Sequence, residues 1–258
     1  MSERVERGDP RLDRYRHVGN PRWLEDRGLF VAEGRLVVAR LIDAGFVIES
    51  ILVTPAALRA LAPALAAHPV LVADPTVVND VTGFNFHRGC LAIARRPPAP
   101  PLDTFFAASR LVVVEGVNNP DNIGGIFRSA AAFGADGVLL DRSAGDPLYR
   151  KAVRTSMGAV LRLPFARADE WPAALRALRE HGVTLAALTP AGAATVDELA
   201  ATLPRQARVA VMVGGEGPGL TSAAIQEADF AVRIATDSSI DSLNVVVALA
   251  IALHRLRA

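Results

Sequence analysis

The chain has 258 residues, 51% of them hydrophobic, and a formal charge of +1. That is enough apolar surface for a substantial core and for two units rather than one, while so even a charge balance does not announce a nucleic-acid partner. Cys90 is the only cysteine, which excludes a disulfide framework and a Cys-ligated zinc site, so no metal is expected.

The longest apolar run, Val245–Leu253, falls far short of the roughly 20 residues that cross a bilayer, and Met1–Pro10 is charged rather than signal-like. A cytoplasmic protein without a membrane partner is the expectation. Positive charge is almost wholly arginine, with Lys151 the sole lysine. Arginine favours bidentate phosphate contacts, but an Ala- and Arg-rich composition explains most of these residues as simply.

Residues 1–28 interleave arginines and acids with Tyr15, His17 and Trp23. They read either as a solvated helical lead-in or as an arm that touches phosphates. Regular alternation begins at Leu29, with strands expected at Leu29–Ala32, Val47–Val53, Val70–Ala73 and Cys90–Ala94 and helices at Arg35–Ala44, Ala56–Ala67 and Thr76–Val81. This predicts a small α/β domain over 29–96. The run Arg95–Pro101 then breaks every period, because proline fixes φ and removes a donor, and it reads as part of a stiff linker over 97–104.

Over 105–258 the alternation resumes. Strands are expected at Leu111–Val114, Val138–Leu140, Val160–Leu163, Thr184–Ala187, Ala210–Val213 and Ala231–Ile234. Helices are expected at Ile126–Phe133, Tyr149–Thr155, Trp171–Glu180, Ser222–Glu227 and Leu243–Arg257. The fold class is therefore α/β, a mainly parallel sheet with helices on both faces, whose ligands bind outside the carboxyl ends of the strands.

Three polar or glycine-rich clusters follow such strands. In Asn118–Ala130, Asn122 reads as a helix cap and Arg128 as a charge on an apolar face beside Ile126, Phe127 and Ala130, in need of an anion or a cleft. Val213–Leu220 lets backbone approach a ligand closely, yet its glycines match neither a P-loop nor a dinucleotide turn, and Glu216 stands unexplained among them. Ile240–Asn244 precedes the last apolar helix, with Asp241 or Ser242 as its cap and Asn244 as a polar amide entering an apolar helix.

Together these clusters resemble the SpoU (TrmH) family of RNA 2′-O-ribose methyltransferases, of the SPOUT superfamily. The resemblance is carried by Asn-Pro-x-Asn-x-Gly-x-x-x-Arg-x-Ala-x-x-Phe-Gly-Ala from Asn119, by Gly-x-Glu-Gly-x-Gly-Leu from Gly214, and by Ser-Leu-Asn-Val from Ser242. Lys151–Ala159 resembles the family's connecting segment. Phe30–Gly34 with His87–Cys90 resembles the L30e-like substrate-binding domain often found ahead of it.

The resemblance implies a deep trefoil knot in the C-terminal domain, a homodimer packed through it, and S-adenosylmethionine as cofactor, bound by Leu188, Thr189, Gly214, Gly215, Glu216, Gly217, Ile234, Ala235, Ser242 and Leu243. It implies methyl transfer to a ribose 2′-hydroxyl in structured RNA, ribosomal ahead of transfer RNA. Arg128, Asn122, Glu216, Ser242 and Asn244 would be the catalytic set, with Asn122 orienting Arg128 or the ribose. An arginine is an awkward base at neutral pH, so whether Arg128 takes the proton or orients the ribose stays open. Arg142, Arg150, Lys151 and Arg154 are the candidate RNA-binding edge of the catalytic domain. Thr236, Ser238 and Val246 depart from the family's usual Met, Gly and Ser. A non-catalytic RNA-binding or ribosome-assembly factor that keeps the fold, and a nucleotide-binding α/β enzyme of another class, are the alternatives.

Overall fold

The computed structural model describes residues 2–83, 88–237 and 242–256. His87, Ser238, Ile240, Asp241 and Arg257, all invoked above, lie outside the described residues. Two compact units emerge, Met1–Pro98 with Leu148–Arg162, and Ala99–Pro147 with Leu163–Ala258.

The first unit contains β1 (Ser2–Arg4), α1 (Pro21–Glu25), β2 (Leu29–Glu33), α2 (Arg35–Asp43), β3 (Ile48–Val53), α3 (Pro55–Leu65), β4 (Val70–Val72), α4 (Pro75–Thr82) and β5 (Cys90–Arg95). Its sheet runs β1-β4-β3-β5-β2, with β5 antiparallel to both neighbours. The first 28 residues are not a solvated lead-in. Leu12 and Tyr15 in a 3-10 turn, Val18 and Leu24 are all buried in this unit's core, and β1 pairs with β4. Alternating charges had masked these four anchors, whose burial outweighs the polar residues between them.

The second unit begins with β6 (Arg110–Glu115), α5 (Pro120–Ala132) and β7 (Gly137–Asp141). The chain then forms α6 (Arg150–Thr155), which groups with the first unit and packs against β2, so this family-like segment is not part of the second unit. Next come β8 (Phe165–Ala168), α7 (Trp171–Glu180), β9 (Thr184–Leu188), β10 (Ala194–Thr195), α8 (Val196–Thr202), β11 (Val209–Gly214), α9 (Ser222–Glu227), β12 (Phe230–Arg233) and α10 (Val245–Arg255). All pairings in its sheet, ordered β10-β12-β9-β11-β6-β7-β8, are parallel.

β6 and β7 are buried at nearly every residue, as a parallel strand covered on both faces must be. Leu111, Val113 and Leu139 join the side packed by Leu175 and Leu178 of α7 and Ala224 of α9. α10 packs on α5 and β11. The close approach of α10 to α5 depends on Gly125, where an added Cβ would come within 2.7 Å of the Val246 side chain.

Two expected elements shift. The first half of Val160–Leu163 lies in a 3-10 turn, Ala159–Leu161, entered through Gly158 at φ +81°, and the strand is the half-exposed edge Phe165–Ala168. α8 was not anticipated, although its Thr195–Glu198 capping box is a sequence-level start signal.

Candidate active site

Three neighbouring strands, β12, β9 and β11, end side by side, and their following loops enclose a cavity of about 810 Å³. Its wall is formed by Leu188, Thr189 and Pro190 after β9, by Val213–Gly217 and Gly219 after β11, and by Arg233–Asp237 after β12. Ser242–Val245 and Ala248 complete it from the start of α10. This is the carboxyl-end position expected of a parallel sheet.

The glycine-rich loop is tightly folded. Gly219 N–H donates to the Gly215 carbonyl at 3.0 Å, and a Cβ on Gly214 would lie 2.1 Å from the Gly219 carbonyl carbon. At its far end the loop is tied to β6 by Glu115, buried to 5% exposure, which accepts from Thr221 N–H at 2.7 Å and the Thr221 hydroxyl at 2.8 Å. Glu115, which the sequence reading did not single out, thus braces this loop. Its signal was a lone carboxylate closing an otherwise apolar strand, where burial demands a partner.

At the rim, Asn244 Nδ2 donates at 3.2 Å both to Asn122 Oδ1 and to Glu216 Oε1. Asn244 Oδ1 accepts from Val246 N–H at 2.9 Å and so caps α10. One amide therefore ties α5, the β11 loop and α10 together. Asn122 is buried and its Nδ2 has no partner among the described residues.

A model of the SpoU rRNA Methylase family matches residues 109–254, the region that holds every part of this site. The chain belongs to the SpoU rRNA methylase family. It is 42% identical over 254 residues to an uncharacterized tRNA/rRNA methyltransferase of Mycobacterium bovis, covering 95% of this chain and 88% of that one. The fold is similar to that of an AdoMet-bound rRNA methyltransferase from Sinorhizobium meliloti, at TM-score 0.84 and 26% identity over 99% of this chain and 97% of that chain. It is also similar to an RNA 2′-O ribose methyltransferase, at TM-score 0.78 and 27% identity over 99% and 98% of the two chains.

On this SpoU-family scaffold, the ten residues expected to bind cofactor all stand in the wall of the one cavity, joined by Arg233, which donates to the Gly192 and Ala193 carbonyls at 2.7 and 2.9 Å. Arg233 and Asp237 were missed because a charged residue leaving a strand looks like any solvated strand end. Of the residues expected to be catalytic, Glu216, Ser242 and Asn244 line the cavity, and Asn122 touches it through Asn244.

Arg128 does not line it. α5 starts at Pro120, with Asn119 capping through Asp121 N–H at 2.9 Å, so Asn122 lies inside the helix and is not its cap. With 3.6 residues per turn, Ile123, Ile126, Phe127 and Ala130 share the buried face, while Arg128 falls outside it and is exposed. No hydrogen bond joins Arg128 to Asn122, and Arg128 has no ion-pair partner among the described residues.

The candidate RNA edge also divides. Arg142 is exposed in the second unit, whereas Arg150, Lys151 and Arg154 lie in the first. Arg150 Nη1 donates to Glu33 at 2.9 Å, and Arg154 lies 3.7 Å from the same carboxylate. Glu33 is 4% exposed, and a carboxylate so buried must be paired, which commits two of these arginines to the fold.

Proposed function

We propose that the protein transfers a methyl group from S-adenosylmethionine to a ribose 2′-hydroxyl in structured RNA, with ribosomal RNA the first substrate to test. The observation that carries this reading is the Asn122–Asn244–Glu216 chain at the mouth of the glycine-walled cavity, which brings the three family motifs to one place.

The cavity fits the cofactor. Its volume lies within the roughly 300–1,000 Å³ of small-molecule sites. Leu188, Ile234 and Leu243 offer apolar surface to a flat heterocycle, while Arg233 and Glu216 offer opposite charges to a zwitterionic end. When bound, S-adenosylmethionine supplies an electrophilic methyl group. The glycine loop presents backbone polar groups, Asn244 holds Glu216 at the rim, and Ser242 stands in the same wall. Arg128, outside the cavity and exposed, serves the ribose and its phosphates. A guanidinium stays protonated at neutral pH, so it orients the nucleophile while the 2′-hydroxyl proton leaves to water or phosphate.

On the same reading the C-terminal part is threaded as a trefoil knot, the first unit is an L30e-like RNA-binding module, and two copies pair through the second unit. Support for pairing comes from α10, which leaves Val247 48% and Ile251 36% exposed one turn apart. A monomer by light scattering overturns the pairing, and an experimental chain trace without threading overturns the knot.

The central test is transfer of labelled methyl from S-adenosylmethionine to total RNA, followed by alkaline hydrolysis. Ribose methylation blocks cleavage, so label in alkali-resistant dinucleotides is expected, and label confined to mononucleotides would falsify the ribose assignment. Cofactor binding without transfer to any RNA would instead support a non-catalytic factor. Arg128→Ala should abolish transfer and keep cofactor affinity.

A further inference from the structure

The first unit holds a second cavity, of about 290 Å³, lined by Arg14, Trp23, Arg27, Leu29, Glu49 and Arg95. Half of its lining comes from the first 28 residues, which the core anchors place against β3 and β5. Glu49, with only 17% of its side chain exposed, forms the floor. It accepts from Arg14 Nη1 at 2.7 Å and Arg95 Nε at 2.6 Å, while those two side chains remain 55% and 65% exposed.

Each of these arginines spends one nitrogen on Glu49 and turns the rest of its fork to solvent. The pair in turn holds the Glu49 carboxyl below the usual carboxylate range, so the forks stay fixed at neutral pH. Arg27 lies with its Cζ 4.3 Å from the Trp23 ring centroid, and His17 stacks on the same ring at 4.6 Å with a 16° interplanar angle. Two guanidiniums on one carboxylate, with Arg27 lining the same cavity, leave an excess of positive charge beside a flat stack.

We propose that this cavity takes one nucleotide of an unpaired RNA segment, with its phosphate held by Arg14, Arg95 and Arg27 and its base laid on the His17–Trp23–Arg27 stack. The inference rests on the RNA reading above and adds a contact remote in sequence from the methyl-transfer motifs. Guanidinium forks match phosphate oxygens, and an aromatic or guanidinium plane accepts any base face. An acidic peptide would use the forks and leave the stack idle. Unpaired RNA is favoured over duplex because only a splayed base exposes its face.

The test uses the full chain carrying Trp171→Phe, which leaves Trp23 as the one tryptophan. A short single-stranded oligoribonucleotide should quench Trp23 emission, while a blunt RNA duplex and a glutamate-rich peptide should not. Arg14→Gln and Arg95→Gln should each lower oligonucleotide affinity about 5- to 10-fold and reduce the salt slope by about one. Arg27→Gln should weaken quenching, and Arg59→Gln, an exposed control, should change nothing. Unchanged affinity and salt slope in both Arg14→Gln and Arg95→Gln overturns the proposal, as does Trp23 quenching by peptide or duplex at oligonucleotide strength. Calorimetry with S-adenosylmethionine and the label-transfer assay run alongside. Their failure in the wild type refutes the methyltransferase reading and leaves the quenching result to decide the cavity by itself.

Discussion

Replacing Asn244 with alanine removes three hydrogen bonds at once, to Asn122, to Glu216 and from Val246. Loss of the cap on α10 costs about 1 kcal/mol. Loss of the donor to Asn122 leaves a buried amide with neither its oxygen nor its nitrogen partnered, at about 1–3 kcal/mol. Glu216 is exposed, so water replaces its lost partner at little cost. The expected total is about 2–4 kcal/mol, or roughly 5–10 °C in Tm for a unit of this size. Asn244→Asp separates the contributions. Aspartate caps as well as asparagine, and the unpartnered Asn122 Nδ2 can donate to it after an amide rotation, while the exposed Glu216 turns to solvent away from the new charge, so the loss should shrink to about 1 kcal/mol. Urea and thermal unfolding of both variants measure this. An Asn244→Ala variant within about 0.5 kcal/mol of the parent, or an Asn244→Asp variant equally damaged, refutes the reasoning.

Three further outcomes follow from the same geometry. Gly214→Ala forces a Cβ to 2.1 and 2.2 Å from backbone atoms of Gly219 and Leu220, so the loop must move, and calorimetry should find S-adenosylmethionine binding lost; retained affinity contradicts the close packing. Glu33→Gln should destabilise the first unit by about 2–3 kcal/mol, below the 3–5 kcal/mol of a fully buried pair because Arg150 and Arg154 keep 22% and 31% side-chain exposure. An unfolding midpoint equal to the parent's would show that this pair holds nothing. Burial pushes the Cys90 thiol up to about 12 from an ordinary 9.0, so it should resist alkylation in the native state at pH 8. The unfolded chain loses that proton first, so this contribution to stability is whole below pH 9 and lost between pH 9 and about 12. Tyr15, raised by the same cause, adds in the same direction, and a flat stability profile across that range would exclude both.

Much of the second unit was legible because burial on both faces writes itself as plain apolar runs. β6, β7, β9 and β11 fall within two residues of their expected ends. β8 was misplaced for the opposite reason, since Phe165–Ala168 is an edge strand with alternating exposure whose buried side chains are only two alanines. The start of α5 was read six residues late. Asn122, Gly124 and Gly125 look like loop residues in isolation, yet Asn119 caps and Pro120 opens the helix there, and Gly125 exists to admit Val246. Val246, noted as a departure from the family pattern, is therefore half of a packing pair.

The order of residues along the chain was sufficient to reveal the α/β class, the glycine loop and the three motifs, because strand and helix periods and backbone-permissive residues are local properties. Which of those residues meet depends on facing direction and on pairs far apart in sequence. Only the tertiary structure could turn Arg128 outward from Asn122, which lies six residues before it, set Glu115 against Thr221, and commit Arg150 and Arg154 to Glu33. Burial selects those partners, since a charge or amide removed from water must find its complement wherever the fold delivers one.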